Sequence, residues 1–328
     1  MTIDVHSHLY FPRYMEMLRE RKQLPRSVTE AGIERLIILP QEESGESVGG
    51  RPIDPDYWTV ESKIGFMERS GIEATVLSLA NPWVDFLEPG KASSWARQLN
   101  QDLEEMCRTF PGRLYGLGVL PLQDVSASVR ELEGIAGFRW VKGAMIGSLG
   151  AGKGLDDASL NPVWRKAEEL GLVLYVHPHY GIDTRHFGTQ SYALNFALGF
   201  PFETSIAVAR MIFSGVLQRF PKLKMVLAHA GGTLPYLAGR LDGCAKSYCP
   251  GLQESPSEQL RRLYYDATAF HGPTLKGLIA FAGISRIMFG TDHPFRKDPA
   301  AIYQSFEDLS SEDQHAIRNA NARSLFGI

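Results

Sequence analysis

The stretch Asp4-Val5-His6-Ser7-His8, within a β-rich segment at residues 2–8, carries the pattern on which both fold and chemistry depend. Side chains two residues apart on a strand face the same side, so His6 and His8 are predicted to project together from its carboxyl end. Two imidazoles on one rigid face suit a divalent metal ion. Two histidines packed in a barrel interior would show the same spacing, so the rest of the chain decides between these interpretations.

Further β-rich segments follow and alternate with helical patterns. The predicted strands cover residues 2–8, 73–80, 114–120, 140–146, 172–177, 224–229, 263–268 and 286–290. The clearest predicted helix covers residues 92–110, where apolar side chains recur at helical spacing: Trp95, Leu99, Leu103, Met106 and Phe110. Strand–helix alternation indicates parallel pairing. Eight such units predict an α/β fold, a (β/α)8 TIM barrel whose active site lies at the carboxyl ends of the strands.

The connection between the first two predicted strands is longer than the others. Residues 9–60 are rich in proline and glycine and are too many for a plain crossover helix. We expect an insertion there that covers the carboxyl-terminal mouth of the barrel. Although 328 residues correspond to about two average domains, one barrel can use them all. We therefore predict a single barrel domain over residues 1–328.

Composition and charge argue against several classes of protein. The 34 lysines and arginines against 37 aspartates and glutamates leave a net charge of −3, with no basic block to attract nucleic acid or an anionic membrane. No uninterrupted apolar run approaches the roughly 18 residues that span a bilayer. Cys107, Cys244 and Cys249 form no CxxC pair, and the N-terminal segment lacks the pattern of a signal peptide. We expect a soluble, cytoplasmic protein.

Other predicted strand ends also carry histidine or aspartate. Two strands end at His177 and His229, and Asp292 follows the last one. Barrel closure gathers such ends, whereas a barrel interior is ordinarily filled by Val, Ile and Leu. His6, His8, His177 and Asp292 therefore form a candidate ligand set that suits Zn²⁺, with Mn²⁺ or Fe²⁺ as alternatives. His229 is either a fifth ligand or an unliganded acid–base group.

Two features point to other chemistry and are rejected. Residues 147–154 fit the start of a phosphate-binding loop, but Gly154 stands where Ser or Thr should hold Mg²⁺, so no nucleotide site is expected. In two-metal hydrolases of this architecture, a carboxylated lysine on a middle strand bridges the metals. Lys142 lies at the start of the fourth strand, where its amine is expected in solvent. The sequence therefore predicts one metal ion.

Three residues are candidates for contact with the substrate. Arg51 follows Gly49-Gly50 in the insertion, Asn81 ends the second strand, and Phe295 follows Asp292. A guanidinium, an amide and an aromatic edge around a metal suit a flat, anionic ligand that forms hydrogen bonds. A solvated loop arginine and simple turn chemistry before Pro82 are the alternative explanations for Arg51 and Asn81.

With these residues in place, the sequence resembles the amidohydrolase-related metal-dependent decarboxylases. This group includes enzymes for aminocarboxymuconate semialdehyde, γ-resorcylate and isoorotate (uracil-5-carboxylate). The resemblance extends from residue 4 to residue 295. It is greatest to isoorotate decarboxylase in five stretches: Leu79-Ala-Asn-Pro-Trp83, Gly152-Lys-Gly-Leu-Asp-Asp157, His177-Pro-His-Tyr-Gly181, Leu198-Gly-Phe-Pro-Phe-Glu-Thr204 and Leu227-Ala-His-Ala-Gly-Gly-Thr-Leu-Pro235.

The resemblance implies which residues act. It implies one Zn²⁺ on the four candidate ligands, an unliganded catalytic His229, and a substrate pocket lined by Arg51, Asn81 and Phe295. An arginine that matches Arg240 reaches the other subunit's site in the aminocarboxymuconate enzyme, which implies a homodimer or a dimer of dimers. The insertion around Arg51 is shorter here than in the fungal enzymes and aligns only loosely.

The implied activity is non-oxidative decarboxylation of a planar unsaturated or aromatic carboxylate, with uracil-5-carboxylate as the favoured substrate. Asp292 or His229 would deliver the proton that replaces CO₂. The alternatives within the family are aminocarboxymuconate semialdehyde and a dihydroxybenzoate. The alternatives outside it are a metal-dependent hydrolase of lactones or cyclic amides, for which the same ligands would serve, and a non-catalytic barrel stabilised by a metal.

Overall fold

The structure is a computed structural model that describes residues 1–43, 50–187 and 193–328. Its strands, in chain order, are β1 (Ile3–Leu9), β2 (Arg26–Glu30), β3 (Ile33–Ile37), β4 (Arg51–Pro52), β5 (Ala74–Leu79), β6 (Leu114–Val119), β7 (Val141–Gly147), β8 (Val173–His177), β9 (Lys224–Leu227), β10 (Tyr264–Asp266) and β11 (Ile287–Met288). Eight of them pair in parallel in the order β1-β5-β6-β7-β8-β9-β10-β11.

The last strand returns to the first, and this contact closes the ring. The backbone N–H of Val5 donates to the carbonyl of Phe289 at 2.9 Å, and that of His8 donates to the carbonyl of His293 at 2.7 Å. All residues of β1, β5 and β8 are buried, as expected for strands with helices outside and packed side chains inside. The predicted (β/α)8 TIM barrel is confirmed, with each predicted strand at its expected place in the ring.

Helices surround the barrel. They are α1 (Pro12–Glu20), α2 (Pro40–Glu43), α3 (Val60–Arg69), α4 (Pro89–Thr109), α5 (Val125–Ala136), α6 (Asn161–Leu170), α7 (Phe200–Phe213), α8 (Val216–Arg219), α9 (Leu234–Tyr248), α10 (Pro256–Arg262), α11 (Gly272–Ala282), α12 (Ala300–Gln304), α13 (Ser311–His315) and α14 (Asn321–Phe326). The apolar stripe of α4 faces the barrel through Leu99 and Leu103. Local sequence sets helix ends, as where the Asp124 carboxylate caps α5 by accepting from the N–H of Ala127.

Residues 9–60 contain α1, a small antiparallel sheet of order β2-β3-β4, α2, and a 3-10 turn at Pro55–Tyr57. Residues 44–49 of the predicted insertion lie outside the described residues. The turn is attached to the barrel because the N–H of Tyr10 donates to the carbonyl of Tyr57 at 2.7 Å. This places Arg51 and Tyr57 beside the carboxyl ends of the strands.

Among the described residues, one helical run, Asn195–Phe213, has the length and mean hydropathy (1.3) of a membrane span. Within that window 44% of the residues are buried inside the protein. The run also contains Glu203, whose buried carboxylate accepts hydrogen bonds from three consecutive backbone N–H groups. The core helix of a globular protein meets the same criteria, and α7 packs in the outer helical layer here.

Candidate metal centre and active-site cavity

Four imidazole rings meet at the carboxyl ends of β1, β8 and β9. The His6 ring lies 5.0 Å from that of His8, 5.2 Å from that of His177 and 5.1 Å from that of His229, between centroids. Candidate ligand atoms of His6, His177, His229 and Asp292 all lie within 4.8 Å of one another. His8 adjoins this group because its Nε2 is 3.5 Å from Asp292 Oδ1. The structure thus brings together all five residues that the sequence placed at strand ends.

Three of the rings are oriented by hydrogen bonds at Nδ1. Nδ1 of His6 binds the carboxylate of Asp266 at 2.6 Å, that of His8 binds Ser78 Oγ at 2.9 Å, and that of His177 binds the Pro178 carbonyl at 2.8 Å. In each ring the Nε2 atom is buried and lacks a hydrogen-bond partner within the described part of the chain. This is the arrangement of metal-ligating histidines, in which the other ring nitrogen is held from behind.

The fourth candidate ligand, Asp292, has an unusual backbone. Its φ is +63°, and His229 has a φ of +54°. Left-handed conformations are uncommon for residues other than glycine and persist where surrounding contacts hold them, often at functional sites. Asp292 is held in part by its N–H, which donates to the carbonyl of His6 at 2.8 Å. The turn directs the Asp292 carboxylate toward the imidazoles. Because β9 ends at Leu227, His229 lies after the strand and not within it as predicted.

Burial and charge separate the protonation states of these groups. Burial lowers the pKa of His8 to about 4, and burial together with the neighbouring His8 and His6 rings holds the pKa of His177 well below its usual range. Although burial alone would raise it, the pKa of Asp292 is well below its ordinary value because the neighbouring His6 and His229 rings favour the carboxylate. At His6 burial also lowers the pKa, but the Asp266 and Asp292 carboxylates outweigh it and raise the pKa. The neutral imidazole that binds a metal ion is therefore favoured at His8 and His177, beside the Asp292 carboxylate.

Asp266, at the end of β10, is a site residue that sequence reasoning missed. Its buried carboxylate accepts from the Tyr175 hydroxyl at 2.6 Å, the His229 N–H at 3.0 Å and the Ala230 N–H at 2.9 Å, besides binding His6. These contacts join β8, β9 and β10 to β1. The available signal was an acidic residue at the carboxyl end of the predicted seventh strand, in Tyr264-Tyr-Asp-Ala-Thr268.

Two further buried ionic groups, Lys63 and Glu203, were also missed. Lys63 lies on the same helix face as Met67, so a lysine in an apolar stripe was the signal. Burial lowers the pKa of its amine to about 7. Glu203 accepts hydrogen bonds from the Ser148 hydroxyl and from the backbone of residues 179–181, and so orders the loop after β8.

A cavity of about 1310 Å³ opens above the imidazoles. His177, His229 and Asp292 lie among the residues that line it, together with the predicted substrate residues Arg51, Asn81 and Phe295. The imidazoles and Asp292 form the polar floor of this cavity, and its mouth is bordered by Arg51 and Phe295. This arrangement is expected at the carboxyl-terminal face of a barrel.

Arg51 is held between two aromatic rings. Its guanidinium carbon lies 4.9 Å from the centroid of Phe196 and 4.8 Å from that of Phe295, distances typical of cation–π contacts. The Phe295 ring in turn lies 5.6 Å from the His8 ring. Among the described residues Arg51 has no ion-pair partner, so a cation without a counter-charge faces the cavity.

The Asn81 amide is oriented by the protein. Its Nδ2 donates to the carbonyl of His179 at 2.6 Å, and the residue is 5% exposed. Its Oδ1 has no partner in the described ranges, and one amide hydrogen is still free. Asn81 therefore offers a fixed acceptor at the cavity wall.

Arg240 is not in the cavity of its own chain. It is exposed on α9, one helical turn beyond Tyr236, which lines the mouth and is 92% exposed. Lys142 is at the amino end of β7, with its amine 5.9 Å from the Tyr115 ring, away from the imidazoles. His179 and His293 are buried behind the cavity. His271 is exposed, and its Nδ1 contacts the Thr274 hydroxyl.

Comparison with known proteins gives a consistent set of matches. A family model described as amidohydrolase matches residues 3–328. The 2-amino-3-carboxymuconate-6-semialdehyde decarboxylase of Dictyostelium discoideum is 30% identical over 286 residues, covering 85% of this chain and 79% of that protein. The γ-resorcylate decarboxylase of a Rhizobium species is 28% identical, covering 83% and 91%. The apo crystal structure of Metarhizium anisopliae IDCase (isoorotate decarboxylase) has a TM-score of 0.91 at 32% identity, covering 100% of this chain and 97% of that one.

Proposed function

The chain belongs to the amidohydrolase family, and from that membership we propose that it is a metal-dependent decarboxylase of uracil-5-carboxylate. The relatives named above are decarboxylases, in agreement with the resemblance that the sequence motifs indicated. The observation that carries the proposal is the convergence of three unpartnered imidazole Nε2 atoms on one carboxylate, beneath a cavity with an unpaired arginine.

We assign the metal to His6, His8, His177 and Asp292. Buried nitrogen atoms without hydrogen bonds are costly unless something binds them, and a divalent cation would satisfy all three at once. The ligand set has no thiolate, which suits Zn²⁺ and also admits Mn²⁺. The side chains present therefore fit the ion, with Asp266, Ser78 and the Pro178 carbonyl as the groups that orient the rings.

We assign His229 the role of an unliganded acid–base group. Unlike the three proposed histidine ligands, its Nδ1 has no hydrogen-bond partner within the described residues. Metal-ligating histidines almost always donate from that second nitrogen, so the missing anchor distinguishes His229 from the others. Its Nε2 is 3.8 Å from Asp292 Oδ2, and both side chains line the cavity.

The proposed reaction breaks the bond between the ring carbon and the carboxylate, releases CO₂, and places a proton on that carbon. The bound ion would act as a Lewis acid that fixes the carboxylate and withdraws electron density. The His229–Asp292 pair would hold the proton and deliver it to the ring carbon. Phe295 would pack on the planar ring, and Arg51 would bind negative charge on the substrate.

The Asn81 amide favours a pyrimidine over a phenol. Its free Oδ1 is an acceptor for a ring N–H, and its remaining amide hydrogen can serve an adjacent carbonyl, the pattern that a uracil edge presents. A site built to bind such groups rejects analogues that lack them, because its own polar atoms are left unpaired at about 1–3 kcal/mol each. Aminocarboxymuconate semialdehyde and dihydroxybenzoates are the competing substrates, since relatives carry those names.

We further propose a homodimer, or a dimer of dimers, in the cytoplasm. On α9 the exposed Tyr236 lines the mouth of the cavity, and the exposed Arg240 lies one helical turn further along, as expected if a second copy packs there and Arg240 reaches its site. Cys107, Cys244 and Cys249 are free thiols, which suits a reducing compartment.

The test has two parts, metal content and substrate preference. Purified protein should hold about one Zn²⁺ or Mn²⁺ per chain, as expected for a single four-ligand site. CO₂ release is then measured with uracil-5-carboxylate, 2,6-dihydroxybenzoate and aminocarboxymuconate semialdehyde. We expect the pyrimidine to be fastest. Preference for another carboxylate would refute the substrate, and hydrolysis of a lactone or cyclic amide without CO₂ would refute the reaction.

A variant refines the substrate assignment. Asn81→Ala should slow uracil-5-carboxylate more than dihydroxybenzoate, because it removes the group that matches the pyrimidine edge. The ratio of the decarboxylation rates with uracil-5-carboxylate and dihydroxybenzoate should fall by about 5- to 100-fold, the equivalent of one lost polar contact. Equal slowing of both substrates would mean that Asn81 supports the wall and does not select the ring.

A further inference from the structure

Lys63, on α3, has its amine buried at the point where the barrel closes. The side chain is 0% exposed. Burying an ammonium group costs several kcal/mol unless it is paired. Yet its amine binds no carboxylate directly within the described residues. Instead it donates to Ser7 Oγ at 2.8 Å and to the His293 carbonyl at 3.2 Å, and it contacts Nδ1 of the His293 ring.

Both partners of this amine adjoin the proposed metal ligands. Ser7 lies between His6 and His8 on β1, and His293 directly follows Asp292. The His293 carbonyl that binds the Lys63 amine also accepts the N–H of His8 at 2.7 Å. A single side chain therefore connects the two backbone segments that carry three of the four proposed ligands.

The segment around Asp292 needs such a support. A φ of +63° is uncommon for a residue with a Cβ and persists where neighbouring contacts hold it. The His293 ring is held on one side by Phe66, with ring centroids 3.7 Å apart and planes inclined by 21°. Lys63 holds the edge of the same ring and its carbonyl. Without Lys63, the ring edge and the carbonyl of His293 would lose these contacts.

We propose that Lys63 is a positioning residue, which fixes the Asp292 carboxylate relative to the His6 and His8 imidazoles and so sets the affinity for the metal ion. The inference rests on the proposed function, because it takes those three residues as ligands. Its distinctive consequence is that metal affinity and fold stability separate. Replacing Lys63 by an apolar side chain removes the desolvation cost of the amine but leaves Ser7 Oγ and His293 Nδ1 without that partner, so the two effects on fold stability oppose each other, while the ligand geometry loses its support.

The experiment compares Lys63→Met with the unchanged protein after the metal has been removed. Zn²⁺ affinity is measured by competition with a chromogenic chelator, and the melting temperature is measured without metal. We expect the affinity to fall by about 10- to 100-fold, the usual effect of losing a group that orients ligands. The metal-free melting temperature should change little, because the lost hydrogen bonds and the removed desolvation cost oppose each other.

Lys142→Met is the matched control. The Lys142 amine lies 5.9 Å from the Tyr115 centroid, as that of Lys63 lies 5.9 Å from the Phe66 centroid, but Lys142 is at the opposite end of the barrel. The same substitution there should leave Zn²⁺ affinity unchanged. This control removes any general effect of replacing a lysine beside an aromatic ring.

The possible results have different meanings. Unchanged affinity in Lys63→Met, or a loss of affinity that only parallels a lower metal-free melting temperature, overturns the inference while leaving the metal site intact. If Lys63→Met does not fold, Ser7→Ala takes its place, because it removes the hydrogen bond between Ser7 Oγ and the Lys63 amine. It should weaken Zn²⁺ binding by a smaller factor than Lys63→Met. Unchanged Zn²⁺ affinity in Ser7→Ala would overturn the inference. Unchanged protein that binds no Zn²⁺ would overturn the proposed metal site and this inference with it.

Discussion

The floor and the mouth of the cavity are built by opposite means. At the floor, His6 and Asp266 are fully buried and joined by a 2.6 Å contact. At the mouth, Arg51 lies between Phe196 and Phe295, and the Lys297 amine, on a side chain that is 47% exposed, pairs with Asp56 at 2.9 Å. Hydrogen bonds between buried charges are directional and costly to break, whereas ring contacts and exposed ion pairs are weak and adaptable.

This difference suits a site that fixes its reacting groups and adjusts to its ligand. It also predicts a gradient, in which equivalent substitutions have large effects at the floor and small ones at the mouth. The loss of function should therefore decrease from the floor to the mouth, and a comparable substitution elsewhere in the chain would expose an effect of position alone.

His229→Asn should have the largest effect. The side chain keeps a similar volume but loses the acid–base group, so the decarboxylation rate should fall by about 10²–10⁴. Metal analysis of the same sample should show full occupancy, because His229 is proposed not to be a ligand. His177→Ala is the comparison, and it should lose most of the metal as well as the activity. Loss of metal from His229→Asn would make His229 a ligand.

Asp266→Asn comes next. The variant loses the charge that orients the His6 ring and leaves one of several buried donors unpaired, so metal affinity should fall by about 10- to 100-fold. Chelator competition measures it. Asp85→Asn is the control: Asp85 is also buried, but burial raises its pKa to about 7 and it does not contact the proposed ligands. Equal losses in both variants would attribute the effect to burying an amide and not to the His6 contact.

Arg51→Ala should mainly weaken substrate binding. A hydrogen bond to a charged group contributes about 1.5–3 kcal/mol, so KM should rise by at least 10-fold for every carboxylate tested, with metal content unchanged. Arg139→Ala removes an arginine that also lies over a ring, 5.0 Å from the Trp140 centroid, but outside the cavity. It should leave KM unchanged. A KM effect confined to one substrate would show that Arg51 recognises the ring and not the charge.

Lys297→Ala should have the smallest effect. The lysine connects Asp54 and Asp56 of the 9–60 segment to the loop after β11, but exposed ion pairs contribute only about 0–1 kcal/mol. We expect KM to change by less than about 5-fold, and less again at high salt. Lys276→Ala breaks a similar pair with Asp308, at 2.8 Å and away from the cavity, and should not affect KM. A change above 10-fold for Lys297→Ala would mean that the mouth is as rigid as the floor.

The sequence predicted the repeating part of the molecule well. Short β-rich runs identified the eight barrel strands, because a strand buried on both sides requires apolar residues along its length. Most errors were at strand ends: β9 stops at Leu227 and β10 at Asp266, earlier than the predicted 229 and 268. Left-handed backbone conformations at His229 and Ala230 follow the end of β9. Neither residue is a glycine, so the sequence did not indicate a turn at this position.

The sequence by itself determined which residue types stand at the strand ends, and barrel closure then required His6, His8, His177, His229 and Asp292 to meet. Only the tertiary structure decided what holds them. Asp266, Lys63 and Glu203 act through partners as far as 260 residues away in the chain, as His6–Asp266 shows. Local pattern reports which face of an element is buried, because periodicity is a property of neighbouring residues. It does not report which distant polar group meets a buried charge, since that pairing exists only once the barrel has closed.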